Sequence, residues 1–205
     1  MKVVAVNSSP RKVSNTALLI NYVFEELEQE GIETELIKIG GRRIWGCRAC
    51  YKCFQNRDRQ CSIKKDVVNE CIDKMAEAEG IILGSPTYFS NVNAEMKALI
   101  DRSGLVSTAN GGMYKHKVGA AVTAVRRAGA LHTFNSINHF FLYNQMFVAG
   151  STYWNLGIGL NPGDVAQDEE GVNTMRNLGR NMAWLLKKIS ATRSRHSRRR
   201  PSSRV

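Results

Sequence analysis

The chain predicts an α/β fold in which a parallel sheet is covered by helices on both faces. Three observations carry this reading. Short apolar, β-branched runs alternate with amphipathic helical stretches through the whole chain. The runs are too apolar to leave a wet face, as strands buried on both sides require. Neither an internal repeat nor a second-domain boundary interrupts the pattern, and 205 residues suffice for one full core.

The elements follow in order. Residues 2–9, KVVAVNSS, form the first strand, and 15–30 a helix with Leu19, Ile20, Val23, Phe24 and Leu27 on one stripe. ETELIKI (33–39) alternates as the second strand. A basic loop with a cysteine-rich insert at 45–62 follows, then a helix over 66–79 with Val67, Val68, Cys71, Ile72 and Met75 on one face. Cys71 is thereby a core residue. GIILGSP (80–86) is the third strand, and 93–104 a helix ended by glycine. KVGAAVTAV (117–125) is the fourth strand, 131–145 a helix and MFVAG (146–150) the fifth strand. Residues 151–168, including GIGLNPG (157–163), read as loop, and a last helix spans about 170–189.

Composition narrows the class. Hydrophobic residues make up 43% of the chain and charged residues 23%. No apolar run approaches a membrane span, and the N-terminus reads as a strand rather than a signal peptide. A cytoplasmic protein without a membrane partner is therefore expected, in a compartment where clustered cysteines bind metal or do redox work more often than they pair. The formal charge of +11 is uneven. Six arginines lie in residues 190–205 with no acid, and removing them leaves +5 on residues 1–189. The Arg-rich tail has almost nothing to bury and is expected to be disordered and solvated. Nonspecific contact with nucleic-acid phosphates is the less favoured reading of the tail, and a nucleic-acid partner is not expected.

In open α/β sheets, ligands bind beyond the carboxyl ends of the strands. After the first strand, Ser8, Ser9, Ser14 and Thr16 offer hydroxyls, Arg11 a guanidinium, and the next helix its free N–H groups. An ordinary N-cap at Ser14 or Asn15 would occupy only one or two of these groups. Neither a G-x-x-x-x-G-K-[ST] loop nor a G-x-G-x-x-G turn follows that strand, which disfavours nucleotide hydrolases and dinucleotide folds. A monophosphate such as that of FMN fits better. After the third strand, Pro86 fixes a turn, Tyr88 and Phe89 supply flat apolar surface, the backbone of 87–91 offers hydrogen bonds and Asn91 an amide. After the fourth, Arg126 or Arg127 could stabilise an anionic reduced flavin, and Gly129 adds a flexible turn.

Cys47, Cys50, Cys53 and Cys61 are spaced C-x2-C-x2-C-x7-C. Three thiolates three residues apart can converge, and a fourth can close the set. This is the commonest opening of a [4Fe-4S] run, with a four-thiolate zinc site as the competitor and free thiols as the third option. Arg42, Arg43, Arg48, Lys52, Arg57 and Arg59 would offset a cluster's charge or dock an acidic carrier; they read equally as a solvated face. The four histidines (116, 132, 139, 196) have no ligand spacing, and no catalytic triad or carboxylate pair is seen.

SSPRKVSNT, GSPTYFSNVNAEMKALIDRS and KHKVGAAVTAV, in this order, resemble the flavodoxin-like NADPH-dependent FMN reductase superfamily. The cysteine run resembles its iron–sulfur flavoprotein branch. The resemblance covers residues 1–189. It implies a three-layer sandwich whose five-stranded parallel sheet has the order 2-1-3-4-5. It also implies bound FMN, a [4Fe-4S] cluster on the four cysteines, and a homodimer or dimer of dimers. Ser9, Arg11, Ser14, Asn15 and Thr16 would hold the phosphate. Pro86, Thr87, Tyr88, Phe89 and Asn91 would hold the ring. Where the branch often carries a Gly-Gly pair, this chain has Ala128-Gly129-Ala130, and its x7 gap sits at the long limit. The expected function is an FMN-dependent oxidoreductase passing electrons between the cluster, served by a ferredoxin-type carrier, and FMN to a small acceptor. The alternatives are an NAD(P)H-dependent FMN or quinone reductase without a cluster, with NAD(P)H as co-substrate, and a non-catalytic electron carrier.

Overall fold

A computed structural model describes residues 1–198, with side chains described for residues 1–192. Strands β1 (Lys2–Asn7), β2 (Glu33–Lys38), β3 (Gly80–Tyr88), β5 (Val118–Val125) and β6 (Phe147–Val148) form a parallel sheet in the order β2-β1-β3-β5-β6. Strand β4 (Asn91–Val92) is a two-residue hairpin partner of β3. Without it, the path is the expected flavodoxin-like one.

The central strands β1, β3 and β5 bury both faces. Val4, Val6, Ile81 and Leu83 pack beneath helices α3 (Val68–Glu77), α4 (Ala94–Ala109) and α5 (Ala130–Tyr143). Val3, Ala5 and Ile82 pack beneath α1 (Asn15–Gln29) and α6 (Glu169–Arg198). Side chains alternate between faces with a period of two, so two apolar cores demand runs that are apolar throughout. The stripe Leu19, Ile20, Val23, Phe24 and Leu27 of α1 is buried as expected. Arg180 adds an ion pair from α6 to Glu26 of α1 at 2.9 Å.

Four boundaries differ from the sequence expectation. Helix α4 runs past Gly104 to Ala109, because Val106 and Ser107 continue its buried face and offset the roughly 1 kcal/mol cost of an internal glycine. A short helix, α2 (Lys52–Asn56), interrupts the cysteine loop. The fifth strand is split. Phe147–Val148 pair with the start of β5, and β7 (Leu156–Ile158), within the expected loop, pairs with its end at Thr123, Ala124 and Val125. Helix α6 continues to Arg198, nine residues beyond the expected boundary; the rest of the Arg-rich tail, 199–205, lies outside the described residues. Among the described residues, no helix is long and apolar enough to cross a membrane.

Candidate functional site

A cleft opens at the carboxyl ends of β1, β3 and β5, where strand order reverses. Ser9 and Arg11 enter it from the loop after β1, and Asn15 and Thr16 from the first turn of α1. Pro86, Thr87 and Tyr88 come from the end of β3, Ala124, Val125 and Arg126 from the end of β5, and Gly159 and Leu160 from the loop after β7. Eight residues expected at the site from sequence thus meet in one cavity.

Their roles divide. The Thr16 hydroxyl is buried and has no hydrogen-bond partner within the chain. Such a group costs about 1–3 kcal/mol unless something completes it. A phosphate oxygen would do so, with the unpaired N–H groups of the α1 first turn and the exposed Arg11 beside it. The donor set therefore fits a phosphate monoester. Arg11 donates to the Leu160 carbonyl, which holds its guanidinium at the cleft. Asn15 lines the cavity, but its amide is engaged: Nδ2 donates to the Asn161 carbonyl at 2.9 Å and Oδ1 accepts from Gly163 N at 2.8 Å. It clamps the loop after β7.

Four expected residues lie outside the cavity lining. Ser14 is the N-cap of α1, its Oγ accepting from Ala17 N at 3.1 Å. Phe89 and Ser90 form the two-residue hairpin turn between β3 and β4, both with positive φ (45° and 59°), and Phe89 is fully exposed. Neither residue favours that conformation, and such strain concentrates at ligand clamps. Asn91 Oδ1 accepts from Ser136 Oγ at 2.8 Å, tying the hairpin to α5. Gly129, at φ 87°, precedes α5; a Cβ there would lie 2.6 Å from Ser90 Oγ. It seats the hairpin rather than the cleft.

Two supports escaped the sequence reading. Asn93 caps α4 and donates through Nδ2 to the Ser8 carbonyl at 2.6 Å, holding the loop after β1. Gly40 packs so closely on that loop that a Cβ would lie 2.2 Å from the Ser9 carbonyl.

The cysteine segment lies along the same helix α4. Cys47 and Cys50 are exposed, and Cys53 and Cys61 are half-buried. Ala49, Tyr51, Arg57 and Arg59 are all left-handed, an unusual density for residues other than glycine. Ala49 N lies 3.5 Å from Cys47 Sγ, and Cys50 Sγ lies 3.3 Å from Ser62 Oγ. The Ser62 hydroxyl, then the Lys52 N–H, holds the Cys50 thiol below its ordinary range; burial raises that of Cys53. At the inner end, Asn69 binds the Cys61 backbone at both N–H and C=O, at 2.8 and 3.0 Å. Arg102 Nε donates to Cys61 Sγ at 3.2 Å. Arg102 pairs with Asp66 at 2.5 Å with both side chains closed from water (0% and 1% exposed). Burial pushes the Asp66 carboxyl up, but the guanidinium and the N–H groups of Trp45 and Val68 hold it below the usual carboxylate range. Arg102 sits in register with Met96, Leu99 and Val106 on the buried face of α4.

Among the described residues, no three His, Cys, Asp or Glu side chains gather closely enough to hold a single metal ion. The chemistry of the donor set, four thiols with N–H and hydroxyl groups aimed at sulfur, suits a larger thiolate-bound group.

Hydroxyl, guanidinium and N–H donors at a helix N-terminus, at the carboxyl ends of parallel strands in this order, give the chain a flavodoxin-like architecture, and the family it matches makes it a flavin-dependent oxidoreductase. More narrowly, the chain belongs to the NADPH-dependent FMN reductase family, whose model matches residues 1–161, and within it to the iron–sulfur flavoprotein branch. An iron-sulfur flavoprotein of Methanocaldococcus jannaschii is 40% identical over 92% of this chain and 99% of its own. Another, of Methanosarcina thermophila, is 32% identical over 95% and 100%. A flavodoxin from the domain Archaea superposes with a TM-score of 0.59 at 19% identity, covering 91% of this chain and 99% of that one, which shows the shared fold.

Proposed function

We propose that this chain passes electrons between a [4Fe-4S] cluster on Cys47, Cys50, Cys53 and Cys61 and FMN held in the cleft, and from FMN to a small acceptor. The observation that carries the reading is helix α4. One end holds the loop after β1 through Asn93, and its interior holds Cys61 through Arg102. One rigid element thus supports both sites. The names of the two archaeal relatives support the cluster.

Thr16, Arg11 and the first turn of α1 bind the phosphate; Pro86 to Tyr88 and the hairpin confine the ring; and Arg126 lends positive charge at the cleft. Once bound, FMN supplies two-electron chemistry and the cluster single-electron transfer. A cavity of about 430 Å³ beside the cysteines, walled by Trp45 and rimmed by Arg48, Lys64 and Lys65, offers a basic surface to an acidic carrier of ferredoxin type. Exposed Phe89, Tyr143 and Trp154 are aromatic surface suited to contact between copies, as a homodimer or dimer of dimers.

The test is an anaerobic absorption spectrum with iron and acid-labile sulfide assayed on the same sample. About four of each per chain beneath the flavin bands is the expected result. A clean flavin spectrum without iron after reconstitution, with turnover on NAD(P)H alone, would replace the proposal with a cluster-free NAD(P)H-dependent reductase.

A further inference from the structure

We propose that Arg102 is the positioning residue of the cysteine centre, fixing Cys61 as its anchored corner and directing an N–H at that ligand sulfur. The proposal rests on the cluster reading above.

The Arg102 side chain is closed from water (0% exposed), and its donors are distributed over one segment. Nε faces Cys61 Sγ at 3.2 Å. Nη1 faces the Trp45 carbonyl at 3.1 Å and Asp66 Oδ2 at 2.5 Å, and Nη2 the Ile63 carbonyl at 2.9 Å. Trp45 stands two residues before the first of the four cysteines, and Cys61, Ile63 and Asp66 lie at and after the last. One side chain therefore gathers both ends of the loop that carries all four thiols. Asp66 completes the arrangement by accepting from Trp45 N at 3.1 Å and Val68 N at 3.2 Å.

Only arginine can do this. Its planar fork offers five donors in fixed directions, whereas lysine presents a point charge with three. Burying a guanidinium costs several kcal/mol; Asp66 and the two carbonyls offset this at the Nη groups, which leaves Nε to Cys61 alone. A neutral thiol, a weak acceptor, gives little; a thiolate gives a charge-assisted bond. The contrast among the cysteines agrees: Cys61 is held at its backbone by Asn69 and at sulfur by Arg102, while Cys47 and Cys50 stand at the surface. The site has a fixed inner corner against which the outer ligands can close.

The experiment uses the full chain, reconstituted anaerobically with iron and sulfide. Wild type is compared with Arg102→Lys and with the charge-free double variant Arg102→Met with Asp66→Asn, which avoids leaving one buried charge alone. FMN binding and thermal melting report the fold. With the proposal right, the double variant folds and binds FMN but holds less than half the wild-type iron, and its Cys61 becomes reactive to iodoacetamide in the native state. Arg102→Lys keeps iron, but the electron paramagnetic resonance spectrum of the reduced cluster changes, and the potential moves negative, because a donor to the ligand sulfur is lost. Wild-type iron content, spectrum and potential in both variants would overturn the proposal. So would iron lost only in step with the fold while Arg102→Lys keeps the wild-type spectrum. A wild-type chain that takes up no iron overturns the cluster reading itself, and the proposal with it.

Discussion

Gly40 lies against the Ser9 carbonyl so closely that a Cβ would intrude to 2.2 Å. The neighbour is backbone, which cannot swing aside, and that backbone belongs to the loop that presents Ser9 to the cleft. Gly40→Ala is expected to cost about 1–3 kcal/mol and to weaken FMN binding, measured by denaturant melts and by flavin fluorescence titration. Normal binding in a destabilised variant would show that the strain is relieved away from Ser9.

Thr16→Val separates binding from stability in the opposite sense. Valine keeps the shape and removes a buried hydroxyl without a partner in the chain, so the unliganded protein should be as stable or slightly more so. FMN affinity should fall roughly 10- to 100-fold, the worth of a hydrogen bond to a charged group. Riboflavin, which lacks the phosphate, should bind both proteins equally. A similar loss with riboflavin would place the hydroxyl at the ring instead.

The buried pair of Arg102 and Asp66 should dominate the response to acid near the cysteine segment. Asp66 has its folded pKa below the ordinary carboxylate value, so its contribution is present at neutral pH. It is lost as pH falls below about 4, through the folded value. Glu26 and Glu35 are lowered too, chiefly by Arg180 and Lys2, and add to the same slope. The measurement is therefore a difference: wild type minus the Arg102→Met, Asp66→Asn double variant, melted between pH 6 and 3. The gap should close toward acid. Arg102→Ala alone should cost about 3–5 kcal/mol at pH 7, because it leaves a buried carboxylate unpaired.

Cys71 should stay silent while the other thiols react. Burial pushes it up to about 12 from 9.0, leaving roughly a thousandfold less thiolate than in an exposed thiol. In the metal-free native chain at pH 8, labelling should go no further than four cysteines, with the fifth appearing only in denaturant. Fast native labelling of Cys71 would mean that α3 opens locally.

The strands read well from sequence because burial on both faces leaves a continuous apolar run, the least ambiguous signal in the chain. Helix α1 read well because its stripe is regular. Ser9, Arg11, Asn15 and Thr16 could be expected at one cleft because they lie close together in the sequence. Phe89 and Ser90 could be named as part of a turn, but their left-handed conformation could not, since neither residue favours it. Leu156–Ile158 hid because three residues centred on Gly157 carry no period, and they pair only because β5 extends beyond β6. Arg102 hid in plain sight: a cation on an apolar stripe is informative only once its partners, 36 to 57 residues earlier in the chain, are known.

The split at the outer edge of the sheet has a bearing on how the protein behaves in a crowded solution. An unbroken edge strand is a template on which a second chain can pair its backbone and start an aggregate. Here the edge beside β5 is two residues, then a detour over 149–155, then three residues, so no long ladder is on offer. The opposite edge, β2, carries Glu33, Glu35 and Lys38, with Lys2 paired to both glutamates. A sheet blunt at one border and charged at the other offers a second chain little backbone to pair with.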